Sequence, residues 1–230
     1  MDHRLWDQVV AHLGGLRRCL AVDLPGFGAS SMDGADSIDE TSDRLAAVIA
    51  SLDEPADIVG LSMGGYVQLA LVERHPELIR SLVLMDTRSE SDSDEGRAGR
   101  YALIDRVGES GVEPVADSMA EALPAAGAAP WVRRKIRQMA RDSSPAAVQA
   151  ALRAMAERPD RTGILGSIAV PTLVVVGSED ALTPPEGARR MADAIPGSRF
   201  VEIEGAGHVP PLERPSGVVG ALRDFWTVSA

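Results

Sequence analysis

The stretch Val59-Gly60-Leu61-Ser62-Met63-Gly64-Gly65 constrains this chain more than any other. Before it, Asp57-Ile58-Val59 is short and β-branched, as a buried strand is. After it a helix is expected from Met63 towards His75, stopped by Pro76. A strand that turns directly into a helix holds its corner residue in a strained conformation. Glycines two before and two after would remove the side chains that clash there. A serine at that corner projects its oxygen from the carboxyl end of the sheet. The start of the helix leaves amide N–H groups free beside it, Met63's among them. Taken alone, Gly-x-Ser-x-Gly is a weak signal, because an N-cap serine in a glycine-rich turn has the same spelling. The strand before it and the helix after it add weight.

The rest of the chain alternates in the same way. Apolar residues at helical spacing (Leu5, Trp6, Val9, Val10, Leu13) predict a helix over 5–13, closed by Gly14-Gly15. Strands are expected over 18–22, 56–61, 81–85, 170–176 and 199–203. Helices are expected over 37–52, 62–75, 185–195 and 216–226, the first with Ser37 and Glu40 at capping-box spacing. Residues 23–28 and 205–208 are turn-rich loops. Between the strands at 81–85 and 170–176 the character changes. The acidic, serine-rich run 89–96 is expected to be a mobile linker, and 101–165 is Ala- and Arg-rich with helical periodicity. This pattern gives an α/β architecture: a mostly parallel sheet with helices on both faces, formed by 1–86 and 166–230, plus a linker and helical cap at 87–165. Such a cap would sit over the carboxyl ends of the strands, where these folds bind ligands.

The chain has 230 residues, enough for one domain with a sizeable core. A net charge of −11 argues against nucleic acid or an anionic membrane surface as its partner. The single cysteine, Cys19, excludes an internal disulfide, fits a reducing compartment and is expected as a small core residue. No apolar run is long enough to span a membrane, and Met1-Asp2-His3-Arg4 does not open a secretory signal. A cytoplasmic location is therefore expected. The sequence leaves homo-oligomerisation open.

A serine becomes a nucleophile at neutral pH when a base takes its proton and an acid orients that base. Of the four histidines, His75 ends a helix and is expected as a surface cap, while His3 and His12 lie in the N-terminal segment. His208 sits in a loop after a strand, between Gly207 and Val209, and Gly205 and Gly207 let that loop aim one side chain. The acid candidates end strands. Asp180 follows 174–176 through Gly177-Ser178-Glu179, Asp86 is the runner-up, and Asp23 also ends a strand. Alternation turns Glu179 away, so it is expected in solvent. In chain order the candidates run Ser62, Asp180, His208. In 101–165, Trp131 and Met139 are candidate pocket residues, although core packing is the commoner role for their types. The basic run Arg133, Arg134, Lys135, Arg137 and Arg141 is expected mainly as a solvated helix face, with attraction of an anionic substrate as the sharper alternative.

Five stretches together resemble the α/β-hydrolase superfamily: Asp23-Leu24-Pro25-Gly26-Phe27-Gly28-Ala29-Ser30, the elbow around Ser62, Leu82-Val83-Leu84-Met85-Asp86, 170–180, and Gly205-Ala206-Gly207-His208-Val209-Pro210-Pro211-Leu212-Glu213. They spread over nearly the whole chain. Glu157-Arg158-Pro159-Asp160 and Pro184-Pro185 are similar to 3-oxoadipate enol-lactonase-like members. The resemblance implies Ser62 as nucleophile, His208 as general base and then acid, Asp180 as orienting acid and the Met63 amide as one oxyanion donor. It implies cleavage of a small ester, thioester or lactone, with no metal or organic cofactor. Cofactor-free haloperoxidase chemistry or C–C bond hydrolysis on the same triad is the alternative, and an inactive form of the fold is a third.

The family normally begins with two or three strands before the helix expected at 5–13, and a His-Gly loop there supplies the second oxyanion amide. His3 does not match that histidine. The strand without a counterpart would lie between 18–22 and 56–61. The sequence therefore raises the expectation of a natural start upstream of Met1. The alternatives are that the two flanking strands pair directly or that another subunit fills the gap.

Overall fold

The computed structural model describes residues 1–30 and 34–228; residues 31–33 and the last two residues of the expected 166–230 half lie outside them. A 3-10 turn at His3–Leu5 leads into helix α1 (Asp7–Leu13). Helix α2 (Ile38–Ala50) begins at Ser37, whose hydroxyl accepts the Glu40 amide at 3.0 Å, as the capping spacing predicts. Strand β1 (Ala56–Leu61) and helix α3 (Met63–Arg74) flank Ser62, and strand β2 (Ile79–Met85) follows. Four helices come next: α4 (Asp94–Ser110), α5 (Glu113–Ala122), α6 (Pro130–Arg141) and α7 (Pro145–Ala156). The chain then returns through strand β3 (Thr172–Gly177), helix α8 (Pro185–Ala194) and strand β4 (Arg199–Ile203). Helices α9 (Pro210–Glu213) and α10 (Pro215–Val228) end it.

The four strands form one parallel sheet in the order β1-β2-β3-β4. Side chains alternate across it. Val83, Met85, Leu173 and Val175 face α1 and α10, packing with Val9, Leu222 and Phe225. Leu82, Leu84, Val174 and Val176 face the other way, against Ile49 of α2, Leu69 and Leu71 of α3 and Met191 of α8. All eight of these central residues are fully buried. That is why residues 82–85 and 173–176 read as unbroken apolar runs and not as alternation.

The expected strand at 18–22 does not form. Leu20 is 61% exposed, and among the described residues β1 pairs with β2 alone. A strand is held by partners for its N–H and C=O groups, and residues 18–22 find none among the described residues. The two flanking segments do not close on one another, so direct pairing is ruled out. Instead a cavity of about 930 Å³ separates them, with residues 17–22 on one side and Ala56–Leu61 on the other. Cys19 is half-buried at its wall, not a full core residue.

The stretch 89–96, expected as a mobile linker, is tied down. Buried Asp92 pairs with Arg100 and, at 2.9 Å, with buried Arg158. The Ser89 carbonyl accepts the Arg161 amide at 2.9 Å, and the Ser93 hydroxyl caps α4 through the Gly96 amide at 3.1 Å. Acidic composition suggested disorder, but three of these polar groups have buried or capping partners supplied from 96 to 161. No helix among the described residues is long and apolar enough to cross a membrane.

Candidate active site

Ser62 sits between the last residue of β1 and the first of α3, at φ 54° and ψ −113°. It is one of three non-glycine residues with positive φ among those described, and the expected strain is present. Two hydrogen bonds fix the corner. The Ser62 amide donates to the Met85 carbonyl at 2.9 Å, and the Thr87 hydroxyl donates to the Ser62 carbonyl at 2.8 Å. Gly60 is needed as expected, because a Cβ there would stand 2.8 Å from the Gly64 backbone. The second glycine requirement falls elsewhere than predicted. A Cβ on Gly64 would meet nothing, whereas one on Gly65 would stand 2.4 Å from the Thr87 hydroxyl oxygen. The sequence cannot show this, because Thr87 lies on the neighbouring strand's exit. The Met63 and Gly64 amides head α3 without an acceptor among the described residues, as the first N–H groups of a helix do.

Asp180 and His208 meet directly. The His208 Nδ1–H donates to Asp180 Oδ2 at 2.8 Å, and both residues are buried. Asp180 lies on the turn after β3, where the amides of Leu182 and Thr183 donate to its Oδ1 at 2.8 and 3.0 Å. The Thr183 hydroxyl donates to Oδ2 and lies 3.3 Å from His208 Nδ1. Burial pushes the Asp180 carboxyl up. The His208 ring and the Thr183 hydroxyl and amide outweigh it, so the group ends below its usual range. Glu179, its neighbour, is exposed as expected.

The loop carrying His208 is held by a residue that no sequence pattern singles out for a role. Glu213 is buried and accepts three amide N–H groups: Gly207 at 2.9 Å, Val209 at 3.3 Å and Ala125 at 2.8 Å. The His208 amide donates to the Leu123 carbonyl at 2.7 Å. The loop therefore presses on the connection between α5 and α6. A Cβ on Gly207 would stand 2.4 Å from the Ala125 amide nitrogen, so only glycine fits. Thr183 and Glu213 were missed because each acts on a residue three or more positions away through a turn. The spacing Asp-x-x-Thr after the strand was the available signal for the first.

The Ser62 hydroxyl makes no hydrogen bond among the described residues. It stands at the carboxyl end of β1, beside Asp86 at the end of β2 and one strand further from Asp180 at the end of β3. It opens on the 930 Å³ cavity, together with Met63. Val115 and Met119 of α5, Leu152 and Met155 of α7, and Leu24 and Phe27 of the turn-rich loop also line that space. Trp131 and Met139 do not. Met139 is wholly buried in the core, and Trp131 is 40% exposed.

The other candidates fall away from this place. His75 caps α3, with its ring on Asp43 at 2.8 Å, and the His12 ring donates to the Gln8 carbonyl. Asp23 accepts the His3 amide and ring and the Ala29 amide, bracing the loop that follows it. Four of the five basic residues of α6 are paired: Arg133 with Glu121, Lys135 with Asp7, Arg137 with Asp117 and Glu121, and Arg141 with Glu113 and Asp117. Arg134 is exposed and makes no ion pair among the described residues, as a solvated face does.

Residues 1–221 match the family model described as the Alpha/beta hydrolase family. The pimeloyl-[acyl-carrier protein] methyl ester esterase of Neisseria meningitidis serogroup A is 34% identical over 232 residues, covering 97% of this chain and 73% of the relative. A thermophilic esterase from Thermogutta terrifontis superposes with a TM-score of 0.96 at 37% identity, covering 100% of this chain and 87% of that one. The enol-lactonase from Burkholderia xenovorans gives 0.87 at 26% identity, covering 98% and 87%. With its parallel sheet, its strained serine corner and a family match over nearly its whole length, this chain belongs to the alpha/beta hydrolase family.

Proposed function

We propose that the chain is a serine hydrolase that cleaves a small carboxylic ester, thioester or lactone through an acyl-enzyme. The observation that carries this reading is the buried hydrogen bond from His208 Nδ1 to Asp180 Oδ2 at 2.8 Å. It fixes the ring so that Nδ1 holds a proton and Nε2 is left as the basic atom. His208 Nε2 takes the Ser62 hydroxyl proton as Ser62 Oγ attacks the substrate carbonyl. The oxyanion develops next to the head of α3, where the Met63 amide stabilises it. His208 then passes the proton to the leaving alcohol, thiol or ring oxygen. Water activated by His208 hydrolyses the acyl-enzyme, and Ser62 recovers its proton. Asp180 stays ionised throughout and balances the imidazolium. In resting structures the hydrogen bonds of catalysis are often long, so an unbonded Ser62 hydroxyl agrees with this role.

The cavity on which Ser62 opens is walled in part by Leu24, Phe27, Val115, Met119, Leu152 and Met155, apolar residues that suit an acyl group with little charge. The relatives named for methyl-ester and lactone substrates support the same reaction class. The test is hydrolysis of p-nitrophenyl butyrate by the chain and by Ser62→Ala, alongside fluorophosphonate labelling. Turnover and labelling that both vanish in Ser62→Ala are expected. A folded sample in which Ser62 takes no label would show the fold without the activity. Peroxide-dependent halogenation faster than ester turnover would assign the triad to the other chemistry.

A further inference from the structure

Asp86 ends β2 beside Ser62, is fully buried, and has no part in the proton transfers above. Its Oδ1 accepts the Gly177 amide at 2.8 Å. Its Oδ2 has no hydrogen-bond partner among the described residues, although water cannot reach it. One Asp86 oxygen, one Asp180 oxygen and one His208 ring nitrogen lie within 4.8 Å of one another. The residue is held at φ 45°, a conformation uncommon outside glycine.

Two buried carboxyl groups this close do not both ionise. The donors decide which keeps its charge. Asp180 receives four: the Leu182 and Thr183 amides, the Thr183 hydroxyl and the His208 ring. Asp86 receives one. Burial pushes the Asp86 carboxyl well above the usual carboxylate range. The charges of Asp180 and Glu213 add to the push, and only the Gly177 amide opposes it.

We propose that Asp86 is a neutral carboxylic acid whose proton points from Oδ2 towards Asp180, so that the two form an acid–carboxylate pair with Asp86 as the positioning residue behind the His208–Asp180 hydrogen bond. No bond is made or broken in this role; the proton stays on Asp86 while Asp180 holds the ring. The inference rests on the esterase reading for its rate measurement, but not for its spectroscopic one. Infrared spectra of the whole chain at neutral pH should contain the carbonyl stretch of a protonated, buried carboxyl, and Asp86→Asn should lack it. Asp86→Asn can still accept from Gly177 and donate an N–H to Asp180, so its kcat on p-nitrophenyl butyrate should stay within about threefold. Asp86→Ala strips a hydrogen bond from a charged group, and its kcat should fall roughly 10- to 100-fold at unchanged KM. Absence of the band in wild type overturns the proposal, whether or not the chain turns over esters and whether or not Asp86→Ala folds. So does a folded Asp86→Asn as impaired as Asp86→Ala.

Discussion

Glu213 Oε1 accepts the Gly207 amide at 2.9 Å, one residue before the histidine of the candidate site. The same carboxylate reaches Val209 on the other side of His208 and Ala125 on the connection from α5 to α6. One side chain thus spans the histidine loop and anchors it to the helices between β2 and β3.

Glu213→Ala leaves three amide N–H groups buried or partly buried without an acceptor. Each costs about 1–3 kcal/mol, so a loss of roughly 3 kcal/mol or more is expected in urea unfolding. Glu213→Gln keeps the oxygen facing Gly207 and Val209 but turns an NH₂ on the Ala125 amide, and should lose about half as much. A loss below ~1 kcal/mol for the alanine variant would show that the loop is held elsewhere.

Burial raises the Glu213 carboxyl above its usual 4.5, against the pull of its three amides. The folded form then binds more protons than the unfolded one between 4.5 and the raised value. This group's contribution to stability is therefore complete below pH 4.5 and declines as pH rises through that window. Unfolding free energies of wild type and Glu213→Gln, measured across that range, should converge as pH rises. Parallel curves would contradict the shift.

Asp180 behaves in the opposite sense. Its folded carboxyl lies below the usual 3.8, so it stabilises the protein above pH 3.8 and loses that contribution as pH falls through the folded value. Thr183→Val deletes one donor to this carboxylate. Its destabilisation, on the order of 1–2 kcal/mol at pH 7, should shrink on acidification. A cost that stays the same as pH falls from 7 through the folded carboxyl's own titration would mean that the hydroxyl matters for packing alone. On the activity side, Asp180→Asn should lower kcat by about 10³–10⁴, because the ring loses its orienting charge.

Ser62 stores strain that glycine can release. Ser62→Gly removes the Cβ at φ 54°, a conformation costing about 1–3 kcal/mol, against roughly 0.5–1 kcal/mol of added unfolded-state entropy. Its Tm should rise by several degrees while turnover disappears. Ser62→Ala should lose turnover without that rise. A lower Tm for the glycine variant would place no strain at this corner.

The basic face of α6 offers no free charge at Arg137, which is 2.6 Å from Asp117 and 3.4 Å from Glu121. Arg137→Ala should change KM for anionic and neutral esters alike, by less than about twofold. The exposed pairs it breaks are worth only ~0.2–1 kcal/mol. A selective rise in KM for the anionic ester would restore the idea of a carboxylate-attracting site.

By itself the sequence determined the elements whose cause is local. The strands Ala56–Leu61 and Arg199–Ile203 have the bounds their short β-branched and aromatic stretches predict, and Ser37 starts α2 because its hydroxyl reaches an amide three residues on. The elbow at Ser62 and the turn after β3 were legible for the same reason. Glycine and strand-end residues announce a backbone that must bend. Tertiary structure decided whatever needs a partner distant in sequence. Residues 18–22 have a strand's composition and no strand, because pairing is a property of two segments. The run 89–96 has a linker's composition and a fixed place, because Arg100, Arg158 and Arg161 meet it. Which glycine Ser62's corner requires depends on Thr87, and which carboxyl faces His208 depends on donors gathered around Asp180. Periodicity records which side of an element is buried, whereas only the packed chain fixes which groups share a hydrogen bond there.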